Sequence, residues 1–284
     1  MVKVESQADA LVVTLNRPDI HNAFNEHVIA HLTDIFTNEV PRASSAKCVV
    51  LTGTGKSFSA GADLAWMQKM VAYSKAENLH DSHRLFDMFH AIYKYVTRRR
   101  RLLASHTTHR YGDCCCCCIV RSCPLPVIGR INGAGLGGGA GLVATCDIAI
   151  ASHEALFGFT EVQLGLIPAV ISPFVVRKIG ASAASRYFLT GERFDAATAK
   201  SIGIVLNMAS ANHRHAATHK LISVWFAPLL LVGLVQQVCQ TTEELDAAVA
   251  GVVQQIAKAG PQAVRLCKTL LHNVRDTLRD LALL

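Results

Sequence analysis

Long hydrophobic runs are what this chain of 284 residues has least of. The longest strongly apolar stretch, Leu221–Val235, is interrupted by Pro228 and falls short of the roughly 17–25 residues that a spanning helix needs. A membrane partner is therefore not expected. The first residues, Met1–Gln7 (MVKVESQ), have no apolar run of the kind a leader carries and pass straight into a strand-like pattern. That predicts a cytoplasmic protein, with a mitochondrial location left open if the true N-terminus is missing.

Charge is scarce as well. Only 17% of residues are charged and 51% are hydrophobic, a balance that excludes a disordered or fibrous chain. The length suits one large domain or two small ones with a sizeable core. The net charge of +7 would invite nucleic acid, but its placement argues otherwise. Val96–Ser122 holds six arginines against one aspartate, Leu206–Gly233 holds Arg214 and Lys220, and the remainder balances. A nucleic-acid binder spreads its basic residues over a folded face.

Spaced cysteine pairs are lacking too. Five of the ten cysteines form the run Cys114–Cys118, and no CxxC pair exists outside it. This reads as a reducing compartment with buried free thiols. His213, His215 and His219 have no nearby carboxylate or cysteine to complete a zinc set, so no metal is expected. No GxSxG elbow is present, which removes support for a serine hydrolase of the α/β type.

What is present is an alternation of β and α patterns, the signature of an α/β class. Strands are predicted at Ala10–Leu15, Cys48–Leu51, Pro126–Ile131 and Asp147–Ala151. Helices are predicted at Asn25–Glu39, Tyr73–Tyr95, Gly138–Thr145, Ser172–Ile179, Ala181–Leu189, Asp195–Ile202, Glu243–Ala259 and Pro261–Leu278. Thr241 followed by Glu244 fits a capping box. Val96–Ser122 and Leu206–Gly233 break this pattern, and Ile204–Val205 with Leu234–Val235 read as two halves of one interrupted strand. Both segments are either insertions or long loops, and unstructured loops beyond about 12–15 residues are uncommon in compact domains.

Two motifs tempt. Gly53-Thr54-Gly55-Lys56-Ser57 resembles the end of a phosphate loop, but Val50 stands where the first glycine belongs. Gly133-x-Gly135-x-x-Gly138 has the context of a dinucleotide turn, yet its strand is internal and the run continues as Gly137-Gly138-Gly139. The alternative is a tight turn where glycine lets the backbone approach a neighbour closely.

The glycine run carries chemistry in another way. A turn opening a helix presents free N–H groups and the positive end of the helix dipole, a site for a developing oxyanion. A second such turn is Ser59-Ala60-Gly61-Ala62-Asp63. Glu161, in the apolar stretch Phe157–Pro168, is the candidate acid/base between them. From sequence alone it reads equally as a surface or salt-bridged residue.

These residues together resemble the crotonase (enoyl-CoA hydratase/isomerase) superfamily. The resemblance runs through Leu15-Asn16-Arg17-Pro18 with Asn22-Ala23-Phe24, then Phe58–Leu64, Pro126–Gly141, Cys146-Asp147-Ile148 and Glu161–Pro168. It implies a spiral of ββα turns over residues 1–205, with 96–122 inserted. A second insertion would be 206–233, and a helical region over 234–284 would be incomplete. It also implies an acyl-CoA substrate, no separate cofactor, and a homotrimer or hexamer. Carried over by position, the oxyanion hole falls on the N–H groups of Ala62 and Gly138, and Glu161 is one of two family glutamates. The other falls at Gly141, which has no side chain, so a two-glutamate mechanism is not available as usually drawn. Adenine would lie near Ala23, Ala60 and Asp63, with phosphates near Arg17, Lys56 or Lys268. Thr160–Gly180 and Ser59–Met67 are most similar to the methylglutaconyl-CoA and isohexenylglutaconyl-CoA hydratase branch. Hydration of a branched, carboxylated enoyl-CoA is expected, with double-bond isomerisation or an inactive family member as alternatives.

Overall fold

The computed structural model describes residues 1–93, 123–202 and 234–281. The Cys114–Cys118 run, His213, His215, His219 and the predicted half-strand Ile204–Val205 lie outside the described residues. Its other half, Leu234–Val235, is not a strand: both residues are buried, and pairing begins only at Gln237.

The chain opens with an antiparallel pair, β1 (Val2–Gln7) and β2 (Ala10–Leu15). Helix α1 (Glu26–Asp34) follows, capped by the Asn25 side chain and prolonged by a wider turn at Ile35–Glu39. From there the chain repeats one unit: a strand for a large sheet, a short strand for a small sheet, then helix. The first unit is β3 (Cys48–Gly53), β4 (Ser57–Ser59), α2 (Leu64–Met70) and α3 (Lys75–Tyr93). The second is β5 (Val127–Ile131), β6 (Ala134–Leu136) and α4 (Gly138–Thr145). The third is β7 (Ile148–Ser152), β8 (Leu156–Gly158) and α5 (Ser172–Thr190). Strand β9 (Arg193–Asp195), α6 (Ala196–Ser201), β10 (Gln237–Cys239), α7 (Thr242–Lys258) and α8 (Pro261–Leu281) complete the described chain.

The large sheet runs β1-β2-β3-β5-β7-β10, parallel from β2 onward, and the small sheet runs β4-β6-β8-β9. This is a mixed α/β fold built as a spiral of ββα turns. Strand β3 is buried at every position, as expected of an internal parallel strand covered on both faces. The two helices predicted at 172–179 and 181–189 form α5 with a break at Gly180, whose φ of 78° no helical residue adopts. Thr241 caps α7 by accepting from Glu244 N, and the Glu244 carboxylate accepts from Gln240 N in return. Among the described residues no helix is long and apolar enough to cross a membrane.

The glycines of the false nucleotide motifs have structural work. Gly53–Ser57 joins two strands and not a strand to a helix. Gly133 has no room for a Cβ, which would stand 1.9 Å from Lys56 O, and β6 intervenes before α4 begins.

Candidate active site

The site is built where the second strand of one unit meets that of the next. β4 and β6 pair in parallel, so the turns that follow them, at 60–63 and 137–138, emerge side by side. A Cβ on Gly61 would stand 3.0 Å from Gly138 N and 2.7 Å from Leu136 O. Gly61 carries φ 87°, and Gly137 carries φ 51°. Both turns therefore depend on glycine, one for contact and both for conformation.

Among the described residues neither predicted donor has an acceptor within the protein. Phe24 bridges the 61–63 backbone: its N–H donates to Gly61 O at 2.8 Å and its carbonyl accepts from Asp63 N at 3.0 Å. That ladder skips the Ala62 N–H. Gly138 is the first residue of α4, its N–H has no intrahelical acceptor, and the N-cap Gly137 has no side chain to supply one.

Glu161 completes the group. It sits in the first turn of a short 3-10 helix, Thr160–Leu164, and its Oε1 is 3.3 Å from where a Cβ on Gly137 would lie. Its Oε2 is buried with no hydrogen-bond partner among the described residues. Burial pushes the carboxyl pKa above its usual range, and a bond from its own backbone N–H offsets part of that. Glu161 is half-buried, and among the described residues it makes no salt bridge.

The position of the absent second glutamate is also closed in space. A Cβ on Gly141 would stand 2.5 Å from Ile171 Cγ2 and 3.1 Å from Phe89 Cε1. Any side chain there requires repacking of both neighbours.

The predicted CoA contacts divide. Arg17, Ala23, Ala60 and Asp63 come together on one loop pair. Arg17 Nη1 donates to Ala23 O at 2.7 Å and Nη2 pairs with Asp63 at 3.0 Å, while Ala60 N donates to His21 O. Arg17 thus ties the 17–24 loop to the 60–63 turn. Lys56 is exposed on the β3–β4 turn. Lys268 is a correction. It is 5% exposed, pairs with Asp147 at 2.7 Å and donates to Leu125 O at 2.9 Å, beside the start of β5. Its ammonium is held inside the protein by Asp147 and Leu125 and is not presented at the surface for a phosphate.

Residues without a predicted role hold the turns in place. Asn22 is 1% exposed and left-handed at φ 55°; its side chain donates to Thr54 O and Ser57 O and accepts from Arg17 N. Ser59 Oγ donates to Asn22 O and accepts from Gly61 N. In the sequence Asn22 stood out only as part of the Asn22-Ala23-Phe24 resemblance.

Comparison with known proteins agrees with this geometry. The family pattern described as enoyl-CoA hydratase/isomerase matches residues 5–96 and 116–228. The chain is 32% identical over 206 residues to a short-chain-enoyl-CoA hydratase of Clostridium acetobutylicum, covering 72% of this chain and 67% of that one. It is 30% identical over 204 residues to the 2,3-dehydroadipyl-CoA hydratase of Escherichia coli K12, covering 71% and 66%. Among solved structures, an enoyl-CoA hydratase from Shewanella pealeana superposes with a TM-score of 0.73 at 29% identity, covering 97% of this chain and 81% of that one.

Proposed function

The chain belongs to the enoyl-CoA hydratase/isomerase family, an enzyme of the hydratase type, and from that premise we propose that it adds water across the C2=C3 bond of a branched, carboxylated enoyl-CoA thioester. The observation that carries this reading is the Glu161 carboxylate, its Oε2 buried and unpartnered, beside two backbone donors that have no acceptor among the described residues, with position 141 sealed by Ile171 and Phe89.

The steps follow from the chain's own groups. The thioester oxygen accepts from the N–H groups of Ala62 and Gly138, which favours negative charge on that oxygen. As the water oxygen bonds to C3, Glu161 takes the water proton, and the C2=C3 electron pair moves into an enolate. Glu161 then returns that proton to C2. Water has been added, and the carboxylate is regenerated. Loss of one oxyanion donor costs about 3–4 kcal/mol in a comparable hole, so the pair accounts for a large part of the barrier lowering.

A distal carboxylate on the substrate supplies what position 141 lacks: an acceptor that helps order the water. The 2,3-dehydroadipyl-CoA named for the Escherichia coli relative is likewise a carboxylated enoyl thioester. Assembly as a homotrimer or hexamer, and a place in branched-chain acid breakdown, belong to the same reading. The second reading is isomerisation, favoured by the apolar seal at Gly141. Glu161 would take a proton from C2 and return it at C4.

Purified protein assayed on 3-methylglutaconyl-CoA, crotonyl-CoA and a 3-enoyl-CoA tests both. Hydration of the first at a kcat/KM well above the second is the expected result. Conversion of the 3-enoyl substrate alone would replace hydration by isomerisation. Turnover of none of them would leave an inactive family member.

A further inference from the structure

One residue touches both donor turns. Phe24 stands opposite Ala62 in a parallel bridge, where its N–H donates to Gly61 O at 2.8 Å and its carbonyl accepts from Asp63 N at 3.0 Å. In that pattern a residue bonds to the two neighbours of its opposite number, so the Ala62 N–H is turned away from the bridge. The ring of Phe24 reaches the other turn. Its Cζ is 2.4 Å from where a Cβ on Gly138 would lie, and Cε1 and Cε2 are each 3.3 Å from that point. The backbone of Phe24 thus sets one donor, and its ring tip rests on the residue that carries the other.

Phe24 is itself firmly held. It is 1% exposed, and the Phe89 ring packs edge-on against it with centroids 6.4 Å apart. Arg17 ties both sides of the bridge, donating from Nη1 to Ala23 O and pairing through Nη2 with Asp63. Asn25, next in the chain, is fixed as the cap of α1, accepting from Val28 N at 3.2 Å. A ring fixed in this way makes a rigid stop for the start of α4.

We propose that Phe24 is a positioning residue that sets the spacing of the two oxyanion donors. Its backbone registers Ala62, and its ring limits how far the N-terminus of α4 advances. The inference rests on the reading of Ala62 and Gly138 as those donors. Charge develops on the thioester oxygen only as the reaction proceeds, so a misplaced donor weakens the transition state more than the bound ground state. Phe24 acts through the donors and not on the substrate.

The test separates ring from backbone. Phe24→Leu keeps the N–H and carbonyl of the bridge and removes the ring tip that meets Gly138. The readouts are kcat on the enoyl-CoA that the wild type turns over, Kd for butyryl-CoA, and the infrared stretch of bound butyryl-CoA isotope-labelled at the thioester carbonyl. Two well-placed N–H donors lower that stretch, so a folded variant reports a displaced donor directly. Phe24→Leu should lower kcat about 10–100-fold, leave Kd within about threefold and return the stretch toward its value in water. Gly138→Ala keeps its N–H but drives a Cβ into the ring, and should act in the same direction. In the double variant the added methyl takes the place of the missing ring tip, so kcat and the stretch should largely recover. An unchanged kcat or stretch in Phe24→Leu, or a double variant worse than either single one, would overturn the proposal. Should Phe24→Leu not fold, Gly138→Ala and the double variant decide by the same two readouts. If the wild type leaves the butyryl carbonyl at its stretch in water, the two N–H groups form no oxyanion hole, and that reading fails and takes this inference with it. If the wild type lowers the stretch and Phe24→Leu keeps it lowered, only the role of Phe24 is lost.

Discussion

Glu161 Oε1 lies against the backbone of Gly137, 3.3 Å from where a Cβ would stand, with Gly137 held at φ 51°. A side chain at 137 would strain the backbone and crowd the carboxylate. Glycine there sets Glu161 one residue away from the Gly138 donor. Burial opposes the ionised carboxylate and the bond from its own backbone N–H favours it, and burial prevails.

The first prediction is that Glu161→Gln lowers kcat by about 10²–10⁴ while the Kd for a CoA thioester changes little. The carboxylate moves the proton, whereas the thioester is held by backbone N–H groups that the substitution leaves alone. Steady-state kinetics with calorimetric binding checks it. A variant retaining over half of the wild-type rate would remove Glu161 from the chemistry.

The raised pKa of Glu161 sets a pH dependence of stability. Its folded value exceeds its unfolded value, so the native state binds more protons between the two, and stability falls as pH rises through that window. Gln does not titrate. Relative to wild type, Glu161→Gln should therefore gain stability from about pH 4 upward and level off above the native pKa. Urea unfolding at several pH values checks this, and a difference independent of pH would contradict the burial argument.

Gly141 offers a packing test. Gly141→Ala places a Cβ 2.5 Å from Ile171 Cγ2, and such overpacking costs about 1–3 kcal/mol. Ile171→Ala removes that methyl, so the two substitutions should be less destabilising together than their sum predicts. A double-mutant cycle showing simple additivity would place the strain elsewhere.

Much of this arrangement was legible in the sequence because its causes are local. Short apolar stretches rich in Val and Ile marked β2, β3, β5 and β7, and glycine next to a helix start marked the turns at 60–63 and 137–138. The three-residue strands of the small sheet were not legible, since β4, β6 and β8 are too short to show a period and exist only through their pairing. Glu161 was singled out by its apolar setting, and the structure places it beside Gly137. Lys268 was misread because its acceptor, Leu125 O, lies 143 residues away, and burial of a lysine leaves no mark in its own neighbourhood.

Lys268 accordingly carries a prediction that separates structure from substrate binding. Burial works most strongly against its charge, but the Asp147 carboxylate together with Cys123 and Cys146 offsets that and holds its pKa above the ordinary lysine value. Removing one partner of a fully buried pair costs about 3–5 kcal/mol; with the Asp147 side chain 25% exposed, Lys268→Met should cost about 2–3. Below its lowered Tm the variant should bind CoA thioesters as tightly as wild type. A weakened Kd in a fully folded sample would restore the phosphate contact.

The last prediction concerns Val96–Ser122, which lies outside the described residues. The described chain on either side of it already meets: Cys123 N donates to Ala91 O at 3.0 Å. Ile92 is fully buried at the end of α3, and Cys123 and Leu125 are buried where β5 is about to begin. Deleting Val96–Ser122 leaves Ile92, Tyr93, Lys94 and Tyr95 between Ala91 and Cys123, a connection within the ordinary length range between packed elements. The family pattern is interrupted over part of the same stretch, between residues 96 and 116. The segment holds six arginines, five of the ten cysteines and none of the groups assigned to the site. Shortening a loop costs little entropy and recovers a small amount on closure. The deleted chain should therefore fold with an equal or higher Tm and with kcat/KM unchanged. Loss of soluble, cooperatively unfolding protein on deletion, from a wild type that has both, would make this stretch an integral part of the fold.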